Sequence, residues 1–202
     1  MSELFSVVNQ HADAVAGITP IAARHDNTSV SSDQISIHEW PLCAQFNLRI
    51  KPENSEQMAI AAQLLGGELP TTPLSSVAYG HLRINWVAPD DWLVIMPFEQ
   101  GRTFEADYRA AQVGHYSIVD ISGGQTVVEL SGAAAREVLK KSTPIDVHPE
   151  AFPVGKTVGT AFAKSAASIT RIDSDTYLLV IRRSFADYLW AWLMDASAEY
   201  RS

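Results

Sequence analysis

The side chains able to do chemistry are spread along the chain rather than grouped. Gly155-Lys156-Thr157 has the ending of a phosphate-binding loop, but that motif needs a glycine at position 150, where Glu150 stands. The segment therefore reads as a turn entering a strand. Ser122 lies in "ISGGQ" beside two glycines, without the G-x-S-x-G spacing of a nucleophile elbow, and reads as a turn residue. Histidines stand at 11, 25, 38, 81, 115 and 148, none four residues from another, so no helix offers a metal two imidazoles from one face. His148, near Asp146 in "IDVHPEAF", is the most suggestive, although a loop histidine bonded to backbone is the plainer reading. Asp90-Asp91 falls in a turn, where adjacent carboxylates are ordinarily solvated. Cys43, the single cysteine, excludes an intrachain disulfide and a zinc site built from cysteines of this chain alone. It reads as a small buried residue. No G-x-G-x-x-G is present, so dinucleotide binding has no support. No catalytic, cofactor-binding or metal-ligating residue is expected.

The elements that would position these groups follow a repeated order. Ile35 to Ile50 alternates like a strand, interrupted by Pro41. Ser55 to Leu65 reads as a helix with Met58, Ala62 and Leu65 on one face, stopped by Gly66-Gly67. "HLRINWVAP" and "DWLVIMP" are strands around a Pro-Asp-Asp turn, followed by a helix from Thr103 to Gln112 with Phe104, Tyr108 and Ala111 inward. "HYSIVDIS" and "QTVVELS" read as a hairpin, Ala133 to Lys141 as a helix, and "TVGTAFAK", "ASITRID" and "TYLLVIR" as strands before a last helix. The expected fold is α+β: two similar strand–helix–strand–strand–helix halves with mainly antiparallel sheets. The expected boundaries are an arm over 1–34, a first half over 35–114 and a second over 115–202, the halves sharing one compact unit.

The last helix, in "RRSFADYLWAWLMDA", carries more apolar surface than one face needs. Ser184 and Asp187 have capping-box spacing. Phe185, Leu189, Trp192, Leu193 and Ala196 share the expected core face. Trp190 and Met194, four residues apart, form a second stripe. Either the stripe is sandwiched between its own sheet and the other half, or Trp190 and Met194 form a subunit interface.

Composition limits the partners. The 202 residues are 47% hydrophobic and 19% charged, a globular balance. A net charge of −8 argues against non-specific nucleic-acid binding and against an anionic membrane surface. The N-terminus lacks the charged and apolar regions of a signal peptide, and no run reaches the ~18 apolar residues of a membrane span. A cytoplasmic protein is expected.

Two stretches carry a family resemblance. "VVELSGAAAREVL" and "ITRIDSDTYLLVIRRSFADYLWAWLMDA" resemble segments of the folate-binding aminomethyltransferase family, the glycine-cleavage T-protein and its relatives. "IDVHPEAFPVGK" followed by "RRSFADYLWAWLMDA" more closely resembles the gamma subunits of heterotetrameric sarcosine oxidases, most clearly from about 116 to 196. That resemblance implies a non-catalytic brace in a complex that demethylates sarcosine to glycine, makes hydrogen peroxide and passes a one-carbon unit to tetrahydrofolate. It implies alpha, beta and delta partner subunits holding FAD, FMN, NAD and zinc, and no cofactor in this chain. It also implies a lost folate pocket: Arg171 stands where T-protein has a folate-contacting Tyr, and Leu178 where it has the Glu. A buried leucine cannot accept hydrogen bonds from a pterin. The alternatives are an autonomous folate-dependent aminomethyltransferase and a folate-binding-like accessory protein without an oxidase partner.

Overall fold

The computed structural model describes residues 17–112 and 114–201. Within them the chain runs β1 (Ser29–Ser31), β2 (Ser36–Glu39), β3 (Cys43–Arg49), α1 (Ser55–Leu65), β4 (Ser76–Tyr79), β5 (Leu82–Ala88), β6 (Asp91–Pro97) and α2 (Phe98–Ala111). It continues through β7 (Ser117–Asp120), β8 (Gln125–Ser131), α3 (Ala135–Ser142), β9 (Thr157–Phe162), β10 (Ser165–Asp173), β11 (Thr176–Arg182) and α4 (Ala186–Ala196). Two antiparallel sheets result, ordered β4-β5-β6-β3-β7 and β1-β2-β8-β11-β10-β9. The fold is the expected α+β class.

Central strands buried on both faces explain the long apolar runs. In β6, Trp92, Val94 and Met96 pack beneath α1 and α2 with Phe104 and Tyr108, while Leu93 and Ile95 turn the other way. In β11, Tyr177, Leu179 and Ile181 face the α3 and α4 residues Val138, Leu139, Leu189 and Leu193. Leu178 and Val180 meet Leu93, Ile95 and Val127 in a third core between the sheets. The layers are helix, sheet, sheet, helix. Gly101 seats α2 against β3, since a Cβ there would lie 2.0 Å from Ala44 Cβ.

The expected repeat is present, with one more strand per half and an exchange. The repeating unit is strand–helix–three strands–helix, β3 to α2 and then β8 to α4. The extra strand in the first unit is the short β4. The strand preceding each unit joins the other unit's sheet: β2 lies beside β8, and β7 beside β3. Thus β2, inside the expected first half, lies in the second unit's sheet, and β7, inside the expected second half, lies in the first unit's sheet. "HYSIVDIS" and "QTVVELS" do not form a hairpin, because β7 and β8 enter different sheets. The correspondence reaches single hydrogen bonds. Ser76 N donates to Gly155 O at 2.7 Å and Thr157 N to Leu74 O at 2.8 Å, and Trp40 N to Val127 O matches Ile121 N to Gln45 O. Leu74 (φ 60°) and Gly155 (φ 85°) share a left-handed turn where the halves cross.

Helix ends differ in detail. α1 spans the expected residues, capped by Asn54 accepting from Gln57 N, but Gln57, Ala61 and Leu65 form its buried face. α2 starts five residues earlier than expected, at Phe98, and Ala111 is exposed. Ser184 makes no capping bond: it lies in a 3-10 turn over Arg183–Phe185, and Phe185 is exposed. Asp187 instead meets His25 Nε2 at 2.7 Å.

Trp190 is 3% exposed within the isolated chain, so it does not offer a partner an open surface. The cover is neither of the two expected ones: it is the segment ahead of β1. Ile21 is fully buried in the same core, and the His25 ring lies 6.4 Å from the indole. Met194 is half-buried against that core. Glu39 anchors the segment, accepting from Ile21 N at 3.2 Å, Ala22 N at 3.1 Å and Thr126 Oγ1 at 2.7 Å, and from Thr19 Oγ1. Residues 1–16, which include His11 and the first part of the expected arm, lie outside the described residues.

Candidate functional site

The residues singled out for chemistry are engaged in structure and do not converge. Lys156 Nζ donates to Ala151 O at 2.7 Å, tying the loop before β9. Asp146 accepts from His148 N at 2.8 Å, and His148 Nδ1 accepts from Glu150 N at 3.4 Å. Ser122 Oγ accepts from Gln45 N at 2.9 Å, joining the β7–β8 turn to β3. Asp90 pairs with Arg49 through both oxygens. Asp91 accepts from Asn47, and burial raises its pKa despite that bond. Among the described residues no group of three or more His, Cys, Asp or Glu is placed to hold a metal, and no helix is long and apolar enough to cross a membrane.

The two positions compared with a folate site are also structural. Arg171 is 7% exposed, with Nη1 donating to Phe152 O at 3.0 Å, Nε to Asp173 O at 3.1 Å and Nη2 to Ser174 O at 2.5 Å. Its guanidinium lies 5.9 Å over the Tyr177 ring. Leu178, 1% exposed, faces the core between the sheets.

Two grooves at equivalent places in the repeat flank that core. Matching registers make Arg83 and Ser168 counterparts, paired with Ile95 and Val180. By the same registers Leu82 matches Ala167, Trp40 matches Ile121, and Cys43 matches Gln125. A buried polar seam runs between the grooves: Ser76 Oγ to Asn85 Oδ1, Asn85 Nδ2 to Thr170 Oγ1, and Thr170 Oγ1 with Thr157 Oγ1.

The first groove, about 500 Å³, is lined by Trp40 and Arg83, with His38, His81 and Cys43 on its walls. Burial lowers the pKa of Arg83, whose Nη1 donates to Ser76 Oγ, and raises that of the Cys43 thiol. Glu129 adjoins this groove, accepting from Trp40 Nε1 at 3.0 Å. The second groove, about 940 Å³, has the smaller Ser168 where the first has Arg83. Lys164 and Arg182 lie on its border and no carboxylate lines it. Sequence reasoning missed both grooves. Their only trace in the chain is a faint likeness of "SIHEW" to "SIVDI" and of "DDWLVI" to "DTYLLV".

The fold is a pair of repeated α+β units, similar to that of an aminomethyltransferase T. The structure superposes on aminomethyltransferase T of the Bartonella henselae glycine cleavage system with a TM-score of 0.55, at 13% identity, over 78% of this chain and 45% of that one. That likeness shows the fold. The chain belongs to the sarcosine oxidase gamma subunit family, whose model matches residues 52–199. The match begins well ahead of the stretch where the resemblance is clearest by eye. The sarcosine oxidase gamma subunit of an Arthrobacter species is 32% identical over 171 residues, covering 83% of this chain and 82% of its own. That of Corynebacterium strain P-1 is 32% identical over 174 residues, with the same coverages. A chain of heterotetrameric sarcosine oxidase from Corynebacterium U-96, in complex with pyrrole 2-carboxylate, superposes with a TM-score of 0.81 at 25% identity, over 92% of this chain and 97% of that one.

Proposed function

We propose that this chain is a non-catalytic, bracing subunit of a sarcosine oxidase complex. The observation that carries the proposal is the near full-length superposition on a chain of a heterotetrameric sarcosine oxidase, within a family of gamma subunits. The complex demethylates sarcosine to glycine, yields hydrogen peroxide and passes the one-carbon unit to tetrahydrofolate. Alpha, beta and delta subunits hold the FAD, FMN, NAD and zinc, and the complex works in the cytoplasm. This chain supplies surface and rigidity. The bonding of Arg171, Lys156 and His148 to backbone supports that division of labour, as does the burial of Leu178.

Co-expression with candidate oxidase subunits tests the reading. Sarcosine-dependent peroxide production by the purified complex is expected to fall at least tenfold when this chain is omitted. His148→Ala in the complete complex is expected to leave turnover within about twofold. The isolated chain is expected to show no visible flavin absorbance after dialysis and no micromolar binding of a reduced folate. A tenfold turnover loss in His148→Ala, or stoichiometric flavin or folate on the chain alone, overturns the proposal.

A further inference from the structure

We infer that the second groove, between the β9–β10 hairpin and β11, receives an extended apolar and acidic segment of a partner subunit. This inference rests on the reading of the chain as a subunit of an oxidase complex. Four observations carry it. The first is the internal comparison. In the first groove Trp40 and Arg83 occupy the positions held by the smaller Ile121 and Ser168 in the second. The same framework thus leaves about 500 Å³ at one end and about 940 Å³ at the other.

The second observation is charge. The chain carries −8 overall, yet Lys164 and Arg182 border this groove without a lining carboxylate. Among the described residues neither side chain has a salt-bridge or hydrogen-bond partner, which is also true of Arg24, Lys51 and Arg183, but these two border the same groove. An acidic ligand is complementary to them.

The third observation is the rim. Leu74, Val87 and Phe185 are 41%, 52% and 41% exposed, and all three line this one groove. Apolar side chains gathered at one concavity mark a recognition surface more strongly than the same residues scattered singly. The fourth is the edge of β9, the last strand of its sheet. Leu74 O accepts from Thr157 N and Ser75 bridges Lys156, after which the chain leaves β9. Beyond that rung the small, exposed Gly159 and Ala161 line the groove, and no strand pairs with them on that side. An added strand finds free backbone there, which is how sheet edges take up extended peptides.

The test uses the co-expressed complex with this chain tagged. Lys164→Glu combined with Arg182→Glu reverses the border charge. Ser168→Arg, made separately, puts in the groove the side chain that Arg83 puts in its counterpart. Each is expected to lower retention of the partner subunits at least tenfold, while the melting temperature of the full chain alone stays within about 3 °C for the charge reversal, a surface substitution. His81→Glu in the first groove is expected to leave retention unchanged. Retention of partners by the unaltered chain with full retention by both variants overturns the groove assignment and leaves the subunit reading intact. Failure of the unaltered chain to hold any oxidase subunit removes the subunit reading, and this inference with it.

Discussion

Helices α2 and α4 follow equivalent strands and present the same inward face, but their neighbouring faces are handled in opposite ways. Counted from the ends of β6 and β11, Gly101, Phe104 and Tyr108 correspond to Ala186, Leu189 and Leu193, all buried. One residue further along each turn, α2 carries Glu105 and Arg109, an ion pair at 2.8 Å in solvent. In the same places α4 carries Trp190, beneath the segment containing Ile21 and His25, and Met194, half-buried against the same core. The first half ends at its helix layer, whereas the second has a further covering fastened by Glu39. An apolar stripe on a terminal helix therefore need not face a partner. It is as well explained by a stretch of chain too irregular to be recognised beforehand.

The largest expected effect tests this contrast directly. Trp190→Ala is expected to cost about 3–5 kcal/mol in urea unfolding of the chain, because a large buried side chain leaves a cavity. Glu105→Ala, the counterpart on α2, is expected to stay within about 0.5 kcal/mol. Equal losses at the two positions would break the comparison. A smaller effect concerns the fastening. Glu39→Ala leaves two backbone N–H groups and two hydroxyls without their acceptor, a change expected to cost about 1–3 kcal/mol. Amide exchange over residues 19–25 should accelerate together with acrylamide quenching of tryptophan fluorescence. Unchanged exchange there would show that Glu39 is not the fastening.

The smallest effect sharpens the comparison of the grooves. Burial raises the Cys43 thiol pKa, so less thiolate is present at any given pH. Alkylation by iodoacetamide should keep accelerating with pH after an ordinary cysteine has levelled off. The folded state holds this proton more tightly than the unfolded chain does. The stability so gained is full below the ordinary thiol pKa and is lost as pH climbs through the raised one. Levelling at or below the ordinary thiol range would mean that the first groove is as open to water as the second.

Much of the layered fold was legible because burial imprints itself on sequence. The β5–β6 hairpin, the bounds of α1 and the strands β9 to β11 all follow from alternation, apolar runs and turn residues. Partner choice was not legible: alternation in "SIVDIS" records which side is buried, not which strand lies alongside, so the exchange of β2 and β7 left no mark. The first turn of α2 was hidden by Gly101, a poor helix residue kept there by its contact with Ala44. The grooves were hidden for a related reason. A hollow is defined by residues that fail to fill it, and Ser168 looks the same in sequence whether something covers it or nothing does.

The strand exchange also dictates an order of events during synthesis. β3 emerges early, but its neighbour β7 lies beyond α2, and β2 waits for β8, which pairs Ser36 with Ser131. Such distant pairings pay their loop-closure entropy before any contact returns it, and they slow folding. A nascent chain that has exposed everything through α2 still holds two strands, β1 and β2, without the rest of their sheet and one sheet lacking its outermost strand. Neither half can finish alone, and a ribosome pausing before residue 131 leaves β2 without its full partner strand.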